Sequence, residues 1–508
     1  MPVAFSSPLR PASPRLATLA SVLALLVLAA GCTLRAPAPS VPLPTPANWY
    51  TPPPQPDAAA AALSAPTRQQ RLLDWWSQTG DPALVDFIEA AQAASPTTAA
   101  ARSRFLQARA ARTAAAAALG PALDATAQTS RGFSQIAGGI ATQNQAGLQA
   151  SWEVDLFGAN TATRDAAQAR LEGAQAQWHD ARISVAAEVA NELNNFRGCR
   201  REQAILESDA ASRAETARLT DLAMRAGFQS TADAALARAS SAEASGRVSQ
   251  QRALCDISVK ALVALTALDE THLRARLAEP PARPPADALF AIDQLPAAVL
   301  AQRPDVFNAD RNVAAASAEI GSAQAERYPR LTLSGSVGAA SFRARSMALN
   351  VNTWSIGPLA VTLPLFDGGR RRSDIDAARA RYDEAVIQYR ATARQAVREV
   401  EQALVNLQST AARAAQAQTA VEGYRDSFEA AEQRYRSGLA SLLELEESRR
   451  LLLAARTTQS ALERERMAAW IALYRAVGGG WQPGDAVPPE QAASPAPSAA
   501  VPAVPDPS

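Results

Sequence analysis

The sequence predicts a mainly α protein with a transmembrane β part. Three observations carry this. All 34 prolines avoid residues 122–279 and 365–482, and proline breaks helix interiors, so those stretches can hold long helices. Four short runs alternate apolar and polar residues, the period of a strand with one apolar face. The two proline-free stretches resemble each other at an offset of about 210 residues, the mark of a duplicated strand-plus-helix unit.

Composition narrows the class. The chain is 48% hydrophobic but only 5% aromatic, with alanine prominent and a net charge of +1. Alanine favours helix and buries little area, which fits close-packed long helices. A near-neutral chain argues against a nucleic-acid partner, which wants a basic face. The two histidines, His179 and His272, read as solvent-facing helix residues and leave little room for a histidine metal site. No phosphate loop or nucleophile elbow occurs, so neither an enzyme nor a cofactor is expected.

Residues 1–31 read as an export signal: Arg10 and Arg15, an apolar run over 16–30, then Leu28-Ala29-Ala30-Gly31-Cys32. The pattern resembles a bacterial lipoprotein signal, which implies a covalent lipid on Cys32. It departs in placing leucine four positions before the cysteine. Thr33, where aspartate favours inner-membrane retention, points to the outer membrane. The Pro-rich residues 32–66 read as a flexible tether.

The first repeat covers 67–270. Its β-hairpin, about 122–157, alternates Leu148, Ala150, Trp152, Val154 and Leu156 with polar residues, and a Gly-rich join spans 132–142. A helical hairpin of about 158–268 follows, turning at Gly227; its first arm of about 70 residues would be about 100 Å long. A linker fills 271–295. The second repeat, 296–481, has its β-hairpin at about 330–366, a Gly-rich join at 342–353, and a helical hairpin at about 367–477 turning at Gly438. Residues 482–508, rich in Pro and Ala, read as a disordered tail. Four strands with open edges are not tolerated in hydrocarbon, so membrane strands here require other copies of the chain.

Ordered local matches then carry a family resemblance from about Trp75 to Trp481. They include Trp75-Trp76 with Asp81-Pro82-Ala83-Leu84, Arg303-Pro304-Asp305-Val306, Pro364-Leu365-Phe366-Asp367-Gly368-Gly369-Arg370, and Tyr435-Arg436-Ser437-Gly438 with Leu442-Leu443-Glu444-Leu445. The chain resembles the outer-membrane factor family, the TolC-like and OprM-like exit ducts, in their lipoprotein branch. The resemblance implies a homotrimer, with a 12-stranded β-barrel built from four strands per chain and continued by a periplasmic α-helical barrel. It also implies a periplasmic adaptor, an inner-membrane pump of resistance–nodulation–division type, and outer-membrane lipid around the barrel. The implied function is the passive exit duct of a tripartite efflux pump. The competing reading is a coiled-coil envelope lipoprotein without a pore, acting as adaptor or scaffold.

The candidate site is the tip. Glu444 and Glu447 share a helix face, and Asp233 stands after Gly227 where Glu444 stands after Gly438. They match family positions that ring the aperture, where like charges would raise carboxylate pKa values; otherwise they are acids at ordinary helix starts. Ala440 replaces a basic latch residue of TolC-like tips, leaving Tyr435 and Arg436 as substitutes. Trp152, Phe157, Trp354 and Phe366 are either an interfacial aromatic girdle or packing at the strand–helix junction. Cys199 and Cys255 are equidistant in sequence from Gly227, so an antiparallel hairpin sets them at one height. A disulfide between them is expected, the alternative being two buried free thiols.

Overall fold

The computed structural model describes residues 36–42, 46–52, 75–79, 81–135, 138–280, 296–344 and 347–487. The signal segment and Cys32 lie outside the described residues, as does most of the predicted linker and tail. The elements run α1 (Trp75–Gln78), α2 (Pro82–Ala94), α3 (Pro96–Ala117), β1 (Ala122–Ser134), β2 (Gly139–Val154), α4 (Ala159–Arg225), α5 (Thr231–Thr266) and α6 (Glu270–Ala278). The second half continues with α7 (Pro296–Ala301), α8 (Pro304–Ala325), β3 (Arg330–Ala344), β4 (Met347–Thr362), α9 (Arg370–Arg436) and α10 (Leu442–Ala476). No helix among the described residues is long and apolar enough to cross a membrane.

Two compact units divide the chain. Among the described residues, one comprises 36–41, 110–169 and 312–386 and contains the sheet. Its strands form one antiparallel sheet in the order β1-β2-β3-β4, so the two hairpins join through β2 and β3. The strands are longer than their alternating runs. The predicted Gly-rich joins are mostly strand, paired for example at Arg131↔Thr142 and Arg343↔Ala348. Gly147 and Gly338 face each other across β2 and β3, and a Cβ on either would meet backbone oxygen at 2.6 Å. That close approach is what glycine permits there. Pro358 is accommodated where the β3–β4 register shifts between Leu333 and Gly335. The helical part of this unit packs through small side chains, Ala166 and Ala169 against Ala315.

The other unit, made of the described residues within 42–109, 170–311 and 387–487, holds the main core. Trp75 stacks on Tyr474 with centroids 4.8 Å apart, and Phe87, Val189, Leu262, Leu404 and Leu473 close around them. Asp81 caps α2, its side chain accepting from the Ala83 N–H, with Pro82 in the first turn; proline is pre-organised for that position.

Three organisational expectations change. The predicted linker begins with helix α6, capped by Asp269, which accepts from the Thr271 and His272 amides. The tether is partly fixed: the Ser317 hydroxyl donates to the Pro37 carbonyl and Tyr382 to that of Ala38. Further along, Glu401 accepts from the amides of Tyr50 and Thr51. The tail starts in order, since the Asp485 carbonyl accepts from Gln175 and Val487 packs against the cluster of Ala101, Trp178 and Ala181.

Candidate functional site

Both helical hairpins turn on the same device. Gly227 and Gly438 take positive φ, 80° and 71°, the conformation that favours glycine after a helix. At each turn the following amide reaches back five residues, Phe228 to Ala223 at 2.9 Å and Leu439 to Arg434 at 2.8 Å. A serine then caps the returning helix. Ser230 accepts from the Asp233 amide at 3.0 Å, and Ser441 from the Glu444 amide at 3.2 Å. Asp233 and Glu444 are therefore third residues of matching capping arrangements, which explains their shared spacing.

The tip acids also have basic partners. Arg434 reaches across the turn to Glu444 at 2.6 Å. Arg450 pairs with Glu447 at 2.6 Å and, through its hydrogen bond, holds that carboxyl below the usual glutamate range. Within one protomer this is opposite to the rise expected from a like-charge ring. Arg436 pairs with Glu432 at 3.1 Å. Tyr435 turns inward, its hydroxyl 2.9 Å from that of Thr220 on α4. Phe228, Leu439 and Leu443 remain exposed at the turns.

Behind the tip lies a cluster that sequence reasoning missed. Arg213 on α4 pairs with Asp209 at 2.9 Å and with Glu446 on α10. Glu446 also accepts from Ser240 on α5 at 2.8 Å and pairs with Arg449. Arg449 donates to Ser212 and Thr216 at 3.1 and 3.0 Å and lies over the Phe428 ring. Three helices, and the Phe428 ring on a fourth, thus share one polar node with little access to water.

Farther along, Cys199 and Cys255 are joined by a disulfide with Cα atoms 5.6 Å apart. His272 is exposed, but His179 is not the free surface residue expected. It contacts the edge of Trp178, at 4.7 Å between centroids, and its Nε2 lies 3.1 Å from the Asp485 carbonyl oxygen. Burial lowers its pKa. Next to it, burial raises Asp180 to about 6, with Asp305 adding to the effect and Arg475 and Arg303 opposing it. Among the described residues no group of three or more His, Cys, Asp or Glu could hold a metal ion.

The four aromatics divide. Phe157 stacks on Tyr328 at 4.9 Å, at the strand–helix junction. Trp152 donates its indole N–H to the Leu119 carbonyl at 2.9 Å. Trp354 and Phe366 are 75% and 94% exposed. The register pairs Trp152 with Leu333 and Val337 with Trp354, so the two tryptophans stand at different heights on the sheet rather than in one band.

The family model described as outer membrane efflux protein matches residues 87–268 and 295–479. The pyoverdine export outer membrane protein OpmQ of Pseudomonas aeruginosa is 30% identical over 428 residues, covering 81% of this chain and 88% of the relative. The toluene efflux pump outer membrane protein TtgC of Pseudomonas putida is 29% identical over 371 residues, 71% of this chain and 75% of the relative. The solved outer-membrane channel OprN is similar in structure, with a TM-score of 0.77 and 28% identity over 89% of this chain and 100% of that one.

Proposed function

The chain belongs to the outer membrane efflux protein family, and from that premise we infer that it is the outer-membrane exit duct of a tripartite efflux pump. The observation that carries this is the four-stranded sheet with two open edges, β1 and β4, on a chain whose long helices leave that sheet. Open edges are not tolerated in hydrocarbon. Three copies close them into a 12-stranded barrel, and the helices continue the conduit through the periplasm.

The duct works passively. Substrate is loaded by an inner-membrane pump, of the resistance–nodulation–division class, through a periplasmic adaptor. The exposed turn residues Phe228 and Leu439 supply an apolar tip for that contact. Glu444 and Glu447 line the aperture, and Tyr435 with the Arg213–Glu446 node ties the two hairpins of one protomer together behind it. Cys32 carries the lipid anchor, supported by the signal pattern before it.

Purified protein should run as a heat-modifiable trimer and conduct ions in planar bilayers, and in-cell crosslinking should recover an adaptor and a pump. A monomer that stays soluble without detergent and gives no conductance would overturn the reading. For the anchor, Cys32→Ser should abolish acyl labelling; an unmodified mature N-terminus at another residue in the wild type would exclude it.

A further inference from the structure

The antiparallel register assigns each strand residue to one of two faces. Leu123, Leu148, Trp152, Leu333, Val337 and Ile356 share one face, while Asp124, Gln149, Glu153, Ser336 and Ser355 share the other. In a membrane barrel the apolar face meets lipid and the polar face the lumen. Moving from the helix ends toward the strand turns, the lipid face changes character. It reaches a polar rung of Thr129, Asn144, Ser341 and Asn350, and then the rung Arg131↔Thr142↔Arg343.

Height places that last rung. Thr142 is ten residues from Trp152 on β2, about 33 Å along the strand and about 25 Å along the normal at a tilt of about 40°, the height of a barrel's apolar band. Because the helices lie on the periplasmic side, the rung is at the outer leaflet. Phe133 and Ile140 pair one rung farther out on the same face, which sets the arginines in the headgroup layer rather than in open water.

Both arginines are exposed and have no acidic partner among the described residues. The acids of the strands, Asp124 and Glu153, sit on the lumen face nearer the helices. The Cα atoms of Arg131 and Arg343 are two strand spacings apart, about 10 Å, so two long side chains can converge on one anion. Guanidinium matches phosphate in charge and in paired hydrogen-bond geometry.

We propose that Arg131 and Arg343, on the lipid-facing side at the outer rim, form a binding site for the phosphate of a phosphorylated glycolipid of the outer leaflet, one site per protomer. The site anchors the barrel laterally in that leaflet and sets its depth. It rests on the barrel reading of the sheet, which heat-modifiable trimer formation checks separately.

The test is native mass spectrometry of the full-length detergent-solubilised trimer, titrated with bis-phosphorylated lipid A and, in parallel, with its dephosphorylated counterpart. The wild type should retain the phosphorylated form about tenfold better, and millimolar inorganic phosphate should not displace it. Arg131→Gln with Arg343→Gln should lose that preference while remaining a heat-modifiable trimer, and Arg131→Lys with Arg343→Lys should keep part of it. Equal retention of both lipids by the wild type would overturn the proposal without reference to any variant. Retention of the preference by the folded Gln variant, or full displacement by free phosphate, would also overturn it.

Discussion

Arg213 on α4 and Glu446 on α10 form an ion pair whose side chains keep only 10% and 15% of their exposure. A buried pair is weak evidence for stability, but removing one member strands the other. Glu446→Ala or Arg213→Ala should each destabilise this part of the molecule by about 3–5 kcal/mol. The double variant should lose less than the sum, because the two share one interaction. If the node restrains the tip, each single variant should also raise trimer conductance in planar bilayers. Wild-type conductance from both would remove the node from any role in closure.

With Glu444 and Glu447 lining the aperture as proposed, Glu444→Gln with Glu447→Gln should weaken block by divalent cations. The Glu447 carboxyl is held below its usual 4.5 by Arg450. For an acid lowered on folding, the contribution of the pair is present above the unfolded pKa and lost as pH falls through the lower folded value. The midpoint at which block contributed by Glu447 fades should therefore lie below the ordinary glutamate value of about 4.3. Fading already between pH 7 and 5 would instead indicate a like-charge ring that outweighs Arg450.

Much of this architecture is legible because its signals are local. Proline exclusion marks α4 and α9, and Gly227 and Gly438 mark the turns since each needs positive φ. The pairing of β2 with β3 leaves no local mark, because Trp152 and Leu333 are far apart in sequence; the sequence yields two hairpins, and only the family resemblance joins four strands per chain into one barrel. The buried node was missed for a related reason. Asp209 and Arg213 show the same one-turn spacing as the solvent-exposed pair Glu243 and Arg247, and only neighbouring helices distinguish them. His179 was misplaced because the residues that cover it, Trp481 and the Asp485 backbone, come from the far end of the chain.

Asp180 offers a pH test. Its pKa is raised from 3.8 to about 6, chiefly by burial. A raised folded pKa means the group favours the fold fully below its unfolded pKa and loses that contribution as pH rises through about 6. Asp180→Asn should therefore melt higher than the wild type at pH 8 and match it near pH 3.5, the lower end of the titration. Thermal unfolding across that range is the measurement. A variant that melts lower at pH 8 would show that Arg303 and Arg475 stabilise the carboxylate more than burial penalises it.

The disulfide makes the two helical hairpins unequal. Cys199 and Cys255 close a loop with a sequence separation of 56, whereas α9 and α10 contain no cysteine. Closing such a loop removes conformational entropy from the unfolded chain, worth about 4 kcal/mol on the chain-entropy account. Both sulfurs are buried, so the paired substitution Cys199→Ser with Cys255→Ser also places two hydroxyls in an apolar seam. Cys199→Ala with Cys255→Ala is the cleaner variant. It should speed amide hydrogen exchange in α4 and α5 around the lost bond while leaving the matching stretches of α9 and α10 unchanged. Reducing agent applied to the wild type should reproduce that pattern. Thiol quantification on the denatured, unreduced protein decides the premise directly: with the Cys32 sulfur blocked by the proposed lipid, no reactive thiol is expected, and two per chain would rule the bond out.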